Sequence, residues 1–201
     1  MTLKDAQNGF IISEATKMFL ESSIDKVTIS AIAKRVGVGE ATLYRRFSTK
    51  QTLVMECALY LGKEVYGRFQ VPSEEGTGYE RLHRFYDSYL EIFIKDPSYY
   101  AFLFQLDNML PEAPADEMHA YESGIDAFWD LYNAAYGAGL EDGTIRNVGD
   151  ERLFYYSTTH ALQNLCKKLT CQGNLIAQDA SLDKAGEVRC LIDIIMYSLH
   201  A

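Results

Sequence analysis

Apolar residues recur along this chain every three or four positions and almost nowhere every second one, which predicts helices and no sheet. Residues 7 to 22 carry Ile11, Ala15, Met18 and Phe19 on one stripe, a first helix. Ile29, Ile32, Ala33 and Val36 repeat the spacing and predict a second. Thr28 is placed to cap it, because a threonine hydroxyl there accepts an amide that the first turn leaves unpaired. Gly37 follows, where a helix can stop in a left-handed residue that glycine adopts cheaply. Val38 is the apolar plug of the turn, and Leu43 and Phe47, four apart, are the buried side of a third helix. Thr42, Tyr44, Arg45 and Arg46 are left facing outward. Thr49 caps a fourth helix from about Lys50 to Gln70, along Leu53, Cys57 and Leu61.

Pro72 and the run from Ser73 to Gly78 break this pattern. They mark an expected domain boundary, with residues 1–50 on one side, 71–201 on the other, and the helix over 50–70 as a bridge. Beyond it, Tyr79 to Lys95 is amphipathic and ended by Asp96-Pro97, and Tyr99 to Leu110 is closed by Pro111 and Pro114. Asp116 to about Tyr136 makes a long helix holding the single tryptophan, Trp129; Gly137, Gly139 and the Glu141-Asp142-Gly143 turn end it. Asp150 opens a helix to about Cys171. Ala185 to Leu199 is the last, with Val188, Leu191, Ile192, Ile195 and Leu199 on a broad apolar face. The class is all-α, with about nine helices.

Charge changes the picture. The chain has a formal net charge of -9, which by itself argues against a nucleic-acid partner. The charge is unevenly spread. The first 50 residues hold eight Lys/Arg against five Asp/Glu, and residues 51–201 hold eleven against twenty-three. Positive charge therefore gathers around the two short helices and their glycine turn. That is helix-turn-helix logic, in which a cationic helix meets duplex DNA. The competing reading is that Lys34, Arg35, Arg45 and Arg46 merely solvate two helix faces.

Composition narrows the rest. A 48% hydrophobic content is ample for a core. No stretch approaches the ~18 apolar residues of a membrane span. Phe10-Ile11-Ile12, followed by Glu14, is too short for a leader, so a cytoplasmic location is expected. The four cysteines (57, 166, 171, 190) form no C-x-x-C and read as reduced thiols, and the four histidines (83, 119, 160, 200) form no ligand cluster. Neither a metal nor a cofactor is expected.

Two segments carry a family resemblance. FIISEATKMF at 10 to 19 resembles the first helix of the TetR (tetracycline-repressor-like) family of transcriptional regulators, and VTISAIAKRVGVGEATLYRRFSTKQTL from Val27 to Leu53 closely resembles its helix-turn-helix and the start of its fourth helix. GLEDGTIR at 139 to 146, followed by a long helix, is similar to the family's approach to its dimerisation helices. The resemblance implies an N-terminal three-helix DNA-binding domain and a C-terminal helical domain that binds a ligand and dimerises. It implies an Ω-shaped homodimer on a pseudo-palindromic operator, with effector binding changing the spacing of the two heads.

Carried over by position, helix two is about Thr28 to Val36 and the recognition helix about Glu40 to Phe47. Ala41, Thr42, Tyr44 and Arg45 approach DNA, and Lys50 reaches a phosphate; Thr28, Lys34, Gly39 and Arg46 belong to the same surface. Small Ala41 and Thr42 admit the helix to the groove, and either methyl can touch thymine. Tyr44 offers a hydroxyl to a phosphate oxygen. Arg45 serves guanine or a phosphate, and the sequence does not choose. Lys50 adds its charge to the positive end of a helix.

Departures from the family pattern are local. Gly39 replaces the usual serine, removing a hydroxyl. Glu40 brings a negative charge near the backbone, although it suits a helix N-terminus. Ser23 replaces a loop glycine, and Arg46 stands where tyrosine or histidine is common.

Fourteen aromatic residues crowd positions 79 to 136. Tyr86, Tyr89, Phe93, Phe102, Trp129 and Tyr132, with Gln105 and His160 as polar anchors, are candidates to line a pocket for an aromatic or apolar effector. The competing reading makes these rings ordinary core. For self-association the last two helices offer Leu153, Tyr156, Ser157, His160, Ala161 and Asn164, and Val188, Ile192, Ile195 and Leu199.

Three classes compete: a ligand-responsive repressor, an interaction or small-molecule-binding protein with weakened DNA binding, and an enzyme using the aromatic body. Against the last, the sequence has no phosphate loop, no G-x-S-x-G and no metal spacing.

Overall fold

The computed structural model describes residues 3–70, 75–112, 114–172 and 181–201. Of the expected break at Pro72 and Ser73–Gly78, residues 72–74 lie outside them. Among the described residues there are nine α-helices: α1 Leu3–Glu21, α2 Ile29–Val36, α3 Glu40–Phe47, α4 Lys50–Gln70, α5 Gly78–Lys95, α6 Ser98–Leu106, α7 Ala115–Glu141, α8 Glu151–Cys171 and α9 Lys184–Leu199. A 3₁₀ turn at Leu110–Glu112 and one isolated bridge, Ile145 with His200, complete the list. None of these helices is long and apolar enough to cross a membrane.

Most helices start where a side chain takes up an amide. Thr28 Oγ1 accepts from Ala31 N at 3.1 Å, Thr49 Oγ1 from Thr52 N at 3.0 Å, and Asp150 Oδ1 from Leu153 N at 2.9 Å. At α5, Thr77 and Glu80 cap each other's amides reciprocally. α3 begins on a bare cap, Gly39, with no side-chain hydrogen bond.

Beyond shifts of a residue or two, three boundaries differ from expectation, and one is the start of α1, at Leu3 instead of residue 7. α6 stops at Leu106 instead of Leu110, because the chain tightens there: Asn108 N donates to Gln105 O and Met109 N to Leu106 O, both three residues back. α7 continues through Gly137 and Gly139 to Glu141. A glycine inside a helix costs about 1 kcal/mol, and Gly139 has a packing reason. A Cβ on Gly78, at the start of α5, would stand 2.2 Å from the Gly139 Cα, so the two helices meet backbone to backbone. Gly143, at φ 75°, then ends the turn.

The chain packs as two compact units, Met1–Val65 with Ala101–Ile125, and Tyr66–Tyr100 with Asp126–Ala201. In the first, Ile11, Ala15, Phe19, Ile32, Leu43, Phe47 and Leu53 are buried together with Phe102, whose ring lies 6.5 Å from that of Phe19. In the second, α5, α8 and α9 pack on one another around Leu82, Tyr86, Leu162, Val188 and Ile192, all buried. The turn after α7 clamps the start of α5: Gly78 N donates to Asp142 Oδ2 at 2.8 Å and Tyr79 N to Thr144 Oγ1 at 3.2 Å. Asp87 of α5 accepts from Arg189 of α9 and pairs with His83 at 2.9 Å.

Candidate nucleic-acid interface

The turn between α2 and α3 forms as its sequence dictates. Gly37 adopts φ 72°, ψ 32°, and Val38 N reaches back to Ala33 O at 3.0 Å. Leu43 and Phe47 face the core, which leaves Glu40, Ala41, Tyr44 and Arg45 exposed and Thr42 and Arg46 half-buried. Tyr44 keeps 50% of its surface open, large for a tyrosine with no structural duty. Thr28 and Lys34 are exposed on α2's side, the former through its capping role.

The corner between α3 and α4 is tight. Ser48 has φ 58°, ψ -53°, with Thr49 N donating to Phe47 O at 2.6 Å, a three-residue γ-turn of the strained hand.

Two cations expected at the DNA are bound within the chain instead. Arg46 donates to Gln7 Oε1 at 2.6 Å and to Asn8 Oδ1, which ties α3 to the start of α1. Lys50 donates its ammonium to the carbonyl of Ile24, in the loop between α1 and α2. Arg35 is held at 2.9 Å by Glu14, which also pairs with Lys17; these two hydrogen bonds, Lys17's the larger, lower the Glu14 carboxyl below its usual range. Glu40, Tyr44, Arg45 and Lys34 are long side chains of this face with no such partner among the described residues.

The bare cap at Gly39 makes a prediction. Its backbone, φ -77°, ψ 149°, suits any residue, and nothing lies within 4 Å of an added Cβ. Gly39→Ser supplies a capping hydroxyl and a stiffer unfolded chain. It is expected to stabilise the protein by about 0.5–1 kcal/mol, read as a raised midpoint in urea. An unchanged or lowered midpoint contradicts the cap geometry.

The residues proposed for an effector divide. Phe102 and Gln105 serve the first unit: Phe102 packs on Phe19, and Gln105 Oε1 accepts from Ile24 N at 2.7 Å. His160 is exposed on α8. Tyr86, Tyr89, Trp129 and Tyr132 do come together in the second unit. Tyr132 lies between Trp129 and Tyr136, at 5.9 Å from each, with Tyr155 at 5.0 Å. Phe69 makes edge contacts with Phe85, Tyr89 and Phe128 near 5 Å. Phe93 contacts Tyr100 instead, at 6.3 Å. The Arg152 guanidinium lies 5.4 Å from the centre of the Trp129 ring.

Burial raises the hydroxyl pKa values of Tyr86, Tyr132 and Tyr155, so these groups stay protonated. Tyr86 bonds Thr158 at 2.8 Å and also interacts with the Tyr132 hydroxyl, whereas Glu151 Oε1 is buried with no hydrogen-bond partner among the described residues. Burial also raises the Glu151 pKa. In the first unit the Cys57 thiol, pushed up to about 12 by burial, is inert.

The two helices expected at a self-association seam behave differently. On α8, Leu153 (64% exposed), Ser157, His160, Ala161 and Asn164 face outward, with Tyr156 half-buried. On α9, Val188, Ile192, Ile195 and Leu199 are buried by the chain itself, since this is the face that packs on α5 and α8. The outward face of α9 carries Cys190, Ile194 (60% exposed) and Tyr197 (85% exposed). The sequence signal for it was there: α9 has apolar residues on two opposite sides, and only one can serve its own core.

Residues 11–57 match the family model of the bacterial regulatory proteins, tetR family. The HTH-type transcriptional activator FasR of Mycolicibacterium smegmatis is 24% identical over 147 residues, 72% of this chain and 66% of that protein's length. Among solved structures, a regulator from Saccharomonospora viridis in complex with choline has a TM-score of 0.75 at 17% identity, over 98% of this chain and 99% of that one. The regulator FadR of Bacillus subtilis in complex with stearoyl-CoA has a TM-score of 0.71 at 16% identity, over 94% and 98%.

Proposed function

The chain belongs to the TetR family of bacterial regulatory proteins, and from that premise we propose that it is a dimeric repressor released from a pseudo-palindromic operator by a small effector. One observation carries the DNA-binding part. α3 buries Leu43 and Phe47 and turns Ala41, Tyr44 and Arg45 outward, on a helix fixed by a glycine turn to the helix before it. The small residue at position 41 admits the helix to a major groove, and Tyr44 and Arg45 reach phosphates and base edges.

Binding to the DNA upstream of the protein's own gene tests this. Arg45→Ala and Tyr44→Ala each remove a contact made twice by a dimer, and each is expected to weaken binding at least tenfold at matched salt. Both residues are exposed, so thermal unfolding should stay that of the wild type. Binding unchanged in both variants would remove α3 from the interface.

The effector is placed against the aromatic cluster of the second unit. Glu151 Oε1 supplies a buried acceptor without a hydrogen-bond partner among the described residues, and an effector bearing a donor would satisfy it. The relatives bound to choline and to stearoyl-CoA differ widely in chemistry, so the class of compound is read from this chain's own groups. The seam of the dimer is placed on the outward faces of α8 and α9, with Leu153, Tyr156, Ile194 and Tyr197 at its centre.

A further inference from the structure

From Lys26 to Lys50 the chain carries six basic residues and one acidic one, Glu40. Glu40 is the first residue of α3 and is exposed, and among the described residues it has no hydrogen bond or ion pair. Three of the six cations are engaged elsewhere, Arg35 with Glu14, Arg46 with Gln7 and Asn8, and Lys50 with the Ile24 carbonyl, and Lys34 and Arg45 make no ion pair with it. The helix N-terminus favours a carboxylate there. On a duplex, however, the same carboxylate meets a phosphate-lined surface, where an unpaired anion weakens binding.

The neighbours of Glu40 let it reach past the backbone. Gly39 has no side chain and open space around it, and Ala41 ends in a methyl. The start of α3 is therefore its slimmest end, the part that can enter a groove most deeply. In the major groove, cytosine presents the N4 amino donor alone. Adenine sets N7 beside its amino group, guanine shows two acceptors, and thymine an acceptor and a methyl. An ionised carboxylate only accepts. Its chemistry suits cytosine and opposes the other three.

We propose that Glu40 reads a cytosine in each half-site, accepting a hydrogen bond from its N4 amino group, and so is a specificity-determining residue of the interface. The inference rests on the DNA-binding reading given above. Glu40 lowers affinity for duplex in general and restores it where a cytosine stands opposite.

Selection from a randomised duplex pool tests this with the full chain as wild type, Glu40→Ala and Glu40→Gln, at one salt concentration. Wild-type operators are expected to hold one cytosine per half-site whose replacement costs about tenfold. Glu40→Ala erases the preference at that position alone and binds unselected DNA more tightly. Glu40→Gln moves the preference to adenine, whose N6 and N7 a glutamine matches. If Glu40→Ala keeps the wild-type preference at every position and changes only overall affinity, Glu40 acts as a bare charge and the proposal fails. If the wild type selects no sequence, the DNA-binding reading itself fails. Melting curves matching the wild type's would show that an altered preference is not partial unfolding.

Discussion

Tyr197→Asp combined with Ile194→Asp is expected to convert the protein to a monomer and to weaken operator binding at least a hundredfold. Tyr197 and Ile194 stand 85% and 60% exposed on one side of α9, and Leu153 is 64% exposed on α8, against which α9 packs. Large apolar side chains gathered on one face seek cover. A two-fold seam covers each of them twice, because such an interface presents the same patch from both subunits. Four carboxylates forced into that seam would lose their water and repel one another. The monomer's own core is spared, since it rests on the opposite side of α9, on Val188, Ile192, Ile195 and Leu199. One head alone has little contact area, and linking two raises affinity by about 10²–10⁴ without any new contact. Sedimentation and operator titration read the two effects together. A dimer that persists at micromolar concentration with wild-type affinity would place the seam elsewhere.

Gly78→Ala has the largest expected effect on stability. The added Cβ would lie 2.0 Å from Gly139 N and 2.8 Å from Ala135 O, all of it backbone that no rotamer change can move. α5 and α7 would have to part, and with them the bonds from Gly78 N to Asp142 and from Tyr79 N to Thr144. A cost of about 3 kcal/mol or more follows from overpacking of this kind, a fall in melting temperature of roughly 10 °C for a chain of this size. Gly67 is the control. It lies exposed within α4 with nothing near an added Cβ, so Gly67→Ala should stabilise by about 0.5–1 kcal/mol. If Gly78→Ala melts no lower than wild type, the helices do not meet as closely as described.

Local chemistry was legible in the sequence and distant pairing was not. The α2–α3 turn needs Gly37, Val38 and the spacing of Ile29, Ile32, Leu43 and Phe47, all within twenty residues, and it forms as read. The caps at Thr28, Thr49 and Asp150 are equally local. Arg46 looked free for DNA because nothing nearby could hold it, and its partners Gln7 and Asn8 are 39 and 38 residues away. Lys50 meets the Ile24 carbonyl for the same kind of reason. Gly139 reads as a helix breaker until Gly78, distant in sequence, is seen to require it. On α9 two apolar faces competed for the core, and only packing on α5 and α8 decided between them.

Trp129 lies flat along Tyr132 with a guanidinium above it, and it is the single indole of the chain. The protein thus comes with a built-in optical gauge. Any compound that wedges among these rings or dislodges Arg152 alters the polarity around one fluorophore, so a plain emission titration follows occupancy without a dye, a label or a second tryptophan to subtract.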